Sequence, residues 1–300
     1  MADERIPVIL DTDIGSDIDD AVALAYLLRQ PRCELVGITT VSGQPLERAR
    51  LASAICRAEG RDEVPILAGA EASLLRGVKQ PHAAQIEILP RWPHRADFEP
   101  NAAVEWLRQT IRRRPGEITL LSIGPLTNVG LLFATDPEIA GLLKGWVSMA
   151  GRFLPGEAPG GFVEWNVICD PEAGAIAFDR GPTGARAVGL DVTLRCQLPA
   201  AEVRERFTRA GGSLLTVLDA AEVWFRHANL VTFHDPLAAA CIFEPELCSW
   251  RPGTVEVECA GVHTPGLTWF EGRAAEPRHE VAATVDAAAF FRHYFEIVGG

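Results

Sequence analysis

The chain has no apolar run approaching the roughly 20 residues needed to cross a bilayer, so a membrane-spanning protein is not expected. It also lacks any Cys-x-x-Cys pair. Its seven cysteines (Cys33, Cys56, Cys169, Cys196, Cys241, Cys248 and Cys259) are scattered singly, which argues against a zinc ribbon or a thioredoxin-like centre. The count is odd, and a chain this long buries a core without crosslinks, so reduced thiols in a cytoplasm are expected. The opening segment, Met1 to Pro7, has no basic stretch followed by an apolar one, the order that marks a secretion signal. Positive charge is the scarcer sign: 28 Lys and Arg face 40 Asp and Glu, a formal net charge of −12. That balance excludes broad, non-specific binding of nucleic acid, which needs clustered bases. The low hydrophobicity of disordered chains is missing too, since 48% of residues are hydrophobic and 23% charged. A folded cytoplasmic protein remains, with surplus acid to explain.

What is present alternates. Val8–Leu10, Leu35–Val41, Val64–Leu67, Ile118–Ile123, Trp146–Ala150 and Ala187–Val192 read as strands, with helical periodicity at Asp20–Arg29, Pro45–Glu59 and Asn101–Arg114. Strands alternating with helices imply βαβ units and a parallel sheet covered on both faces. Leu198–Leu230 reads as mainly helical and Val255–Phe270 as an antiparallel pair, while Pro90–Pro100 and Phe153–Phe162 read as long loops. No repeat or linker divides the chain, so residues 1–300 are expected to form one α/β domain with a mostly parallel open sheet flanked by helices. Ligands of such sheets bind at the carboxyl ends of the strands.

Directly after the first strand candidate comes Asp11-Thr12-Asp13-Ile14-Gly15-Ser16-Asp17-Ile18-Asp19-Asp20, five aspartates in ten residues. Helix capping accounts for one or two of them. Five crowded carboxylates repel one another unless a cation sits among them, and oxygen ligands suit Ca²⁺ or Mg²⁺. An EF-hand needs Gly at its sixth position and Glu at its twelfth. Ser16 and Val22 stand there, so that loop is excluded. A Mg²⁺-dependent phosphohydrolase of the haloacid-dehalogenase type, with Asp11 or Asp13 as nucleophile, is an alternative.

The acidic loop with Ala21-Val22-Ala23-Leu24 resembles the opening of the inosine-uridine preferring nucleoside hydrolase family. Further segments match in the family's order: Ile38-Thr39-Thr40-Val41-Ser42-Gly43, Gly124-Pro125-Leu126-Thr127-Asn128, Glu164-Trp165-Asn166, Cys169-Asp170-Pro171-Glu172-Ala173 and His234-Asp235-Pro236-Leu237-Ala238. The resemblance implies a Rossmann-like fold and hydrolysis of the N-glycosidic bond of ribonucleosides with Ca²⁺ as cofactor. It implies that Asp13, Asp20, Asp235 and the Thr127 carbonyl hold the ion, and that Asp13 is general base to the attacking water. Asp19, Glu164 and Asn166 would contact ribose hydroxyls, and His234 would be the general acid for the leaving base. Relatives of this kind also suggest a homodimer or homotetramer.

The chain departs from the family pattern at the sugar end. Its first loop is two residues longer than the commonest version, leaving Asp17 without an assigned role. Gln44 stands where the family usually has a ribose-contacting Asn, and Ala158 where another Asn is common. Trp224 and His227 are candidates for contact with the base, whereas His82 and His94 are expected at the surface. A non-catalytic nucleoside- or ribose-binding protein is the reading from a different class.

Overall fold

The computed structural model describes residues 5–154 and 162–299. Eleven strands are present among them: β1 (Ile6–Thr12), β2 (Cys33–Thr40), β3 (Ile66–Ala68), β4 (Thr119–Ser122), β5 (Gly145–Met149), β6 (Ala185–Val188), β7 (Gln197–Pro199), β8 (Leu230–Thr232), β9 (Cys248–Val257), β10 (Thr268–Glu271) and β11 (His279–Val285). Nine form one sheet in the order β10-β9-β11-β6-β5-β4-β1-β2-β3. From β3 to β11 every pairing is parallel; β9 and β10 add an antiparallel edge. β7 and β8 form a separate antiparallel pair. The strand order reverses between β1 and β4, the position where a doubly wound sheet opens a crevice for ligand.

Alternation along the strands divides the core. Val8, Leu10 and Leu121 join one buried cluster and Ile9 and Leu120 the other, one on each face of the sheet. The helix Asp19–Arg29 is buried from Asp19 to Leu28, so it shows no solvated face and reads as apolar all round. It packs against the helix His234–Phe243, whose Ala238–Ala240 are also fully buried.

Two expectations need correction and a third gains detail. The strand beginning near Ala187 ends at Val188, because Gly189 opens a short helix, Leu190–Thr193, whose Val192 and Thr193 amides donate to its carbonyl. Leu198–Leu230 is mainly helical as expected, in two helices, Ala200–Ala210 and Ser213–Trp224, with Leu198 in β7 and Leu230 in β8. Gly211 and Gly212, at φ 63° and 59°, break the run in a region most side chains avoid. The loop expected over Pro90–Pro100 begins two residues later, at Trp92, after a 3₁₀ helix, Ala84–Arg91. Most of the other long loop, and Ala158 with it, lies outside the described residues.

Candidate active site

A cavity of about 860 Å³ opens at the carboxyl ends of the parallel strands. Asp13, Ser16 and Asp17 line it from the loop after β1, and Asp19 and Asp20 from the start of the helix Asp19–Arg29; Ile123 enters from beyond β4 and Met149 from the end of β5. Glu164, Trp165 and Asn166 come from the start of the helix Trp165–Cys169, and His234 and Asp235 from the start of His234–Phe243. Residues more than 200 positions apart therefore meet at one place. The closest approach is at the crevice itself: a Cβ on Gly124 would lie 2.7 Å from the Asp13 nitrogen and 2.9 Å from its carboxylate Oδ1.

The acids are buried. Asp19, Asp20 and Asp235 offer carboxylate oxygens within 4.8 Å of one another, and all three are under 5% exposed. The Asp235 amide donates to Asp19 Oδ2 (3.3 Å), and the Thr12 hydroxyl donates to Asp20 Oδ1. Burial first, then mutual repulsion, raises all three carboxyls well above the ordinary range. Burial also raises Asp13, opposed by the nearby Arg48 guanidinium, and lifts Asp17 to about 6. Asp13 is outside the closest triple, though its charge is the largest Coulombic influence on Asp20. A floor of buried oxygen donors with no carboxylate-bound base among them suits a hard cation.

Glu164 and Asn166, expected to contact ribose, are held by main chain. Glu164 caps the helix Trp165–Cys169: Oε1 accepts from the Asn166 amide (2.6 Å), and Oε2 from Val167 (3.1 Å) and Gly151 (3.0 Å). Burial outweighs these donors and lifts its carboxyl to about 7. Asn166 Nδ2 donates to the Ile123 and Met149 carbonyls (2.8 and 3.0 Å). Both of its N–H groups are spent, leaving Oδ1 as an acceptor. His234 Nδ1 is 2.7 Å from the Thr193 hydroxyl, and burial draws the ring's pKa down to about 4.

Other expected residues lie elsewhere. Gln44 is not among those lining the cavity; its side-chain oxygen accepts from the Ala83 amide (2.8 Å). Thr127 begins the helix Thr127–Thr135, and its hydroxyl donates to Asp170 Oδ2 (2.7 Å). Trp224 lines the cavity with its indole N–H on the Leu230 carbonyl (3.0 Å), whereas His227 is exposed and does not line it. His82 is exposed as expected but sits on the cavity rim beside Lys79, Gln80 and Pro81. Trp165 joins that rim by donating to Gln80 Oε1 (2.8 Å). Lys79, Gln80, Pro81 and His82 belong to no motif, so only tertiary packing places them at the cavity.

Comparison with known proteins agrees with this geometry. Residues 8–292 match the family model for inosine-uridine preferring nucleoside hydrolase. The pyrimidine-specific ribonucleoside hydrolase RihA of Enterobacter sp. (strain 638) is 32% identical, with 95% of each chain covered. The probable uridine nucleosidase 2 of Oryza sativa subsp. japonica is 31% identical over 86% of this chain and 81% of its own. Among solved structures, a plant nucleoside hydrolase, the PpNRh1 enzyme, superposes with a TM-score of 0.85 at 25% identity, covering 98% of this chain and 99% of its own. The purine-preferring ribonucleoside hydrolase from Gardnerella vaginalis gives 0.83 at 26%, with 98% of each chain covered. With its acidic loop, Glu164, Asn166, His234 and Asp235 lining one cavity of a sheet of this order, the chain belongs to the inosine-uridine preferring nucleoside hydrolase family.

Proposed function

We propose that this protein hydrolyses the N-glycosidic bond of ribonucleosides to ribose and free base, using calcium held by Asp13, Asp20, Asp235 and the Thr127 carbonyl. The observation that supports it most is the buried cluster of Asp19, Asp20 and Asp235 in a cavity that also presents Asp13, Glu164, Asn166 and His234. Magnesium usually keeps several waters, whereas calcium accepts many protein oxygens in flexible geometry, and that favours calcium among these acids. When bound, the cation would supply positive potential that makes nearby water more acidic.

Each side chain then has a task. Asp13 takes a proton from the attacking water. The free oxygen of Asp19, the unused lone pair on Glu164 Oε1 and Asn166 Oδ1 accept from ribose hydroxyls. The buried carboxylates stabilise the positive charge that grows on ribose as the base departs. His234 serves the leaving base. Its low pKa keeps the ring neutral at neutral pH; with the Thr193 hydroxyl donating to Nδ1, Nε2–H would donate a hydrogen bond to the departing base. Trp224 gives the base an apolar wall. Gln44, tied to Ala83, reaches the sugar only by exchanging that bond.

The test is a panel of nucleosides assayed for reducing sugar, with EDTA and then with calcium restored. Ribose release that EDTA stops and calcium restores is expected. Calcium uptake with no release from any nucleoside at high protein concentration would leave a binding protein in place of a hydrolase. Assembly as a homodimer or homotetramer is proposed on the family resemblance and is read by light scattering.

A further inference from the structure

The loop that carries the acids spends six residues, Asp13 to Ile18, between β1 and the helix Asp19–Arg29. Such a loop, buried and irregular, leaves main-chain carbonyls that need donors. Two side chains from outside the loop satisfy them. Arg48, from the helix Pro45–Ala58, donates through Nη1 to the Asp13 and Ile14 carbonyls (the latter at 3.1 Å) and to the Ser16 hydroxyl (3.0 Å). Gln85, from the 3₁₀ helix Ala84–Arg91, donates its main-chain N–H to the Gly15 carbonyl (3.0 Å). Its Nε2 donates to the carbonyls of Ser16 and Asp17, both at 3.0 Å. Five consecutive carbonyls thus have partners from just two residues.

Both residues are fully buried, and each keeps one unpartnered polar atom, Arg48 Nη2 and Gln85 Oε1. Leaving such atoms without partners is unfavourable, so something must offset it. Arg48 is further fixed by Nε on the Gly43 carbonyl (2.7 Å). The loop has little room to adjust: at Gly15, with φ 118°, a Cβ would meet Ala83 Cβ at 3.1 Å.

We infer that Arg48 and Gln85 are positioning residues that clamp the acidic loop, setting the separation of Asp13, Asp17, Asp19 and Asp20 for the cation and the sugar. The inference rests on the calcium reading above. The clamp touches carbonyls rather than carboxylates, so the acids keep their oxygens free for ligand. Arg48 also supplies a permanent positive charge beside the acids, which Lys would keep without the planar fork that spans several acceptors.

The test measures calcium affinity by titration calorimetry on metal-stripped protein, apart from activity. Gln85→Met keeps the length and loses both Nε2 bonds; Arg48→Lys keeps the charge and loses the fork. Outer partners of metal ligands typically shift affinity by about 10- to 100-fold, and a loss in that range is expected for each. Arg29→Ala, remote from the cavity, controls for general destabilisation and should bind calcium as the unaltered protein does. Wild-type affinity in folded Gln85→Met would overturn the inference, even if Arg48→Lys failed to fold. So would an equal loss in Arg29→Ala. An unaltered protein that takes up no calcium would overturn both this inference and the calcium reading. Calcium uptake that depends on the clamp, without hydrolysis of any nucleoside, would overturn the hydrolase reading alone.

Discussion

Gly124→Ala isolates the placement of Asp13 from its chemistry. Gly124 lies outside the positive-φ region, so its backbone accepts alanine and only space opposes it. The added methyl would stand 2.7 Å from the Asp13 nitrogen, 2.9 Å from its Oδ1 and 2.9 Å from Val41 Cγ1. Ordinary contact begins at 3.4 Å, so the shortfall is about 0.7 Å at the nitrogen and about 0.5 Å at the oxygen. Neither side yields easily: the Asp13 nitrogen is main chain just beyond β1, and Val41, just beyond β2, is tied by its amide to the Thr12 carbonyl (3.0 Å). The loop must move by about that amount, and misplacing reacting groups by about 1 Å costs on the order of 100-fold in rate. Overpacking should also cost about 1 to 3 kcal/mol of stability. The assay is kcat/KM for uridine and inosine at saturating calcium, with urea unfolding alongside. Gly141→Ala, where a Cβ would meet nothing within 4 Å, is the control and should behave as wild type. A folded Gly124→Ala protein with undiminished kcat/KM would refute the claim that Asp13 must sit where it does.

Further outcomes follow from the same geometry. The folded pKa values of Asp11 (about 7), Asp17 (about 6) and Glu164 (about 7) are raised, chiefly by burial. The folded state therefore holds more protons, and metal-free protein should lose stability as pH rises from about 4 through 7. His234 and His279, lowered to about 4 by burial, act in the opposite sense below pH 6.5. Urea unfolding of EDTA-treated protein at pH 6.5 and 8 should therefore show the fall, and a rise would contradict it. His234→Ala should lower kcat for natural nucleosides far more than for an activated nitrophenyl riboside; equal losses would remove His234 from the leaving-group role. Arg29 donates to the Ala210, Gly211 and Val298 carbonyls, closing the ends of two helices, and pairs with Glu59 at 3.0 Å. Arg29→Ala should cost about 2 kcal/mol in urea melts while leaving kcat/KM as it was.

The negative charge noted in the sequence resolves into two populations. Asp136, Glu34 and Glu172 pair with Arg112, Arg114 and Arg76 near the surface, where ion pairs contribute little. Asp13, Asp19, Asp20 and Asp235 are buried together. A cation bound there would offset part of their charge, so −12 would then overstate the field at the site.

Much of this was legible without coordinates. The apolar runs at Val8–Leu10 and Ile118–Ile123 located β1 and β4, because both faces of a parallel sheet are buried and their strands read as apolar. Residues in motifs were legible because their chemistry is local: an acid must follow β1 to reach the crevice. Ala187–Val192 misled because its apolar, β-branched residues favour strand, whereas the Gly189 carbonyl turns the chain into a helix by accepting from the Val192 and Thr193 amides. Arg48 and Gln85 gave no signal, since Arg in a helix and Gln in a loop are ordinary at the surface. Their role exists only because they are fully buried against another segment's carbonyls.

The sequence by itself determined the fold class, the family and the residue types at the site, since those follow from local periodicity and ordered motifs. Only the tertiary structure decided which oxygens converge. Asp19 rather than Asp13 joins Asp20 and Asp235 in the closest cluster, and Gln44 faces Ala83 instead of the cavity. Separations of a few ångströms between segments 200 residues apart depend on sheet order, helix packing and the clamping of one loop, and no local pattern carries that information.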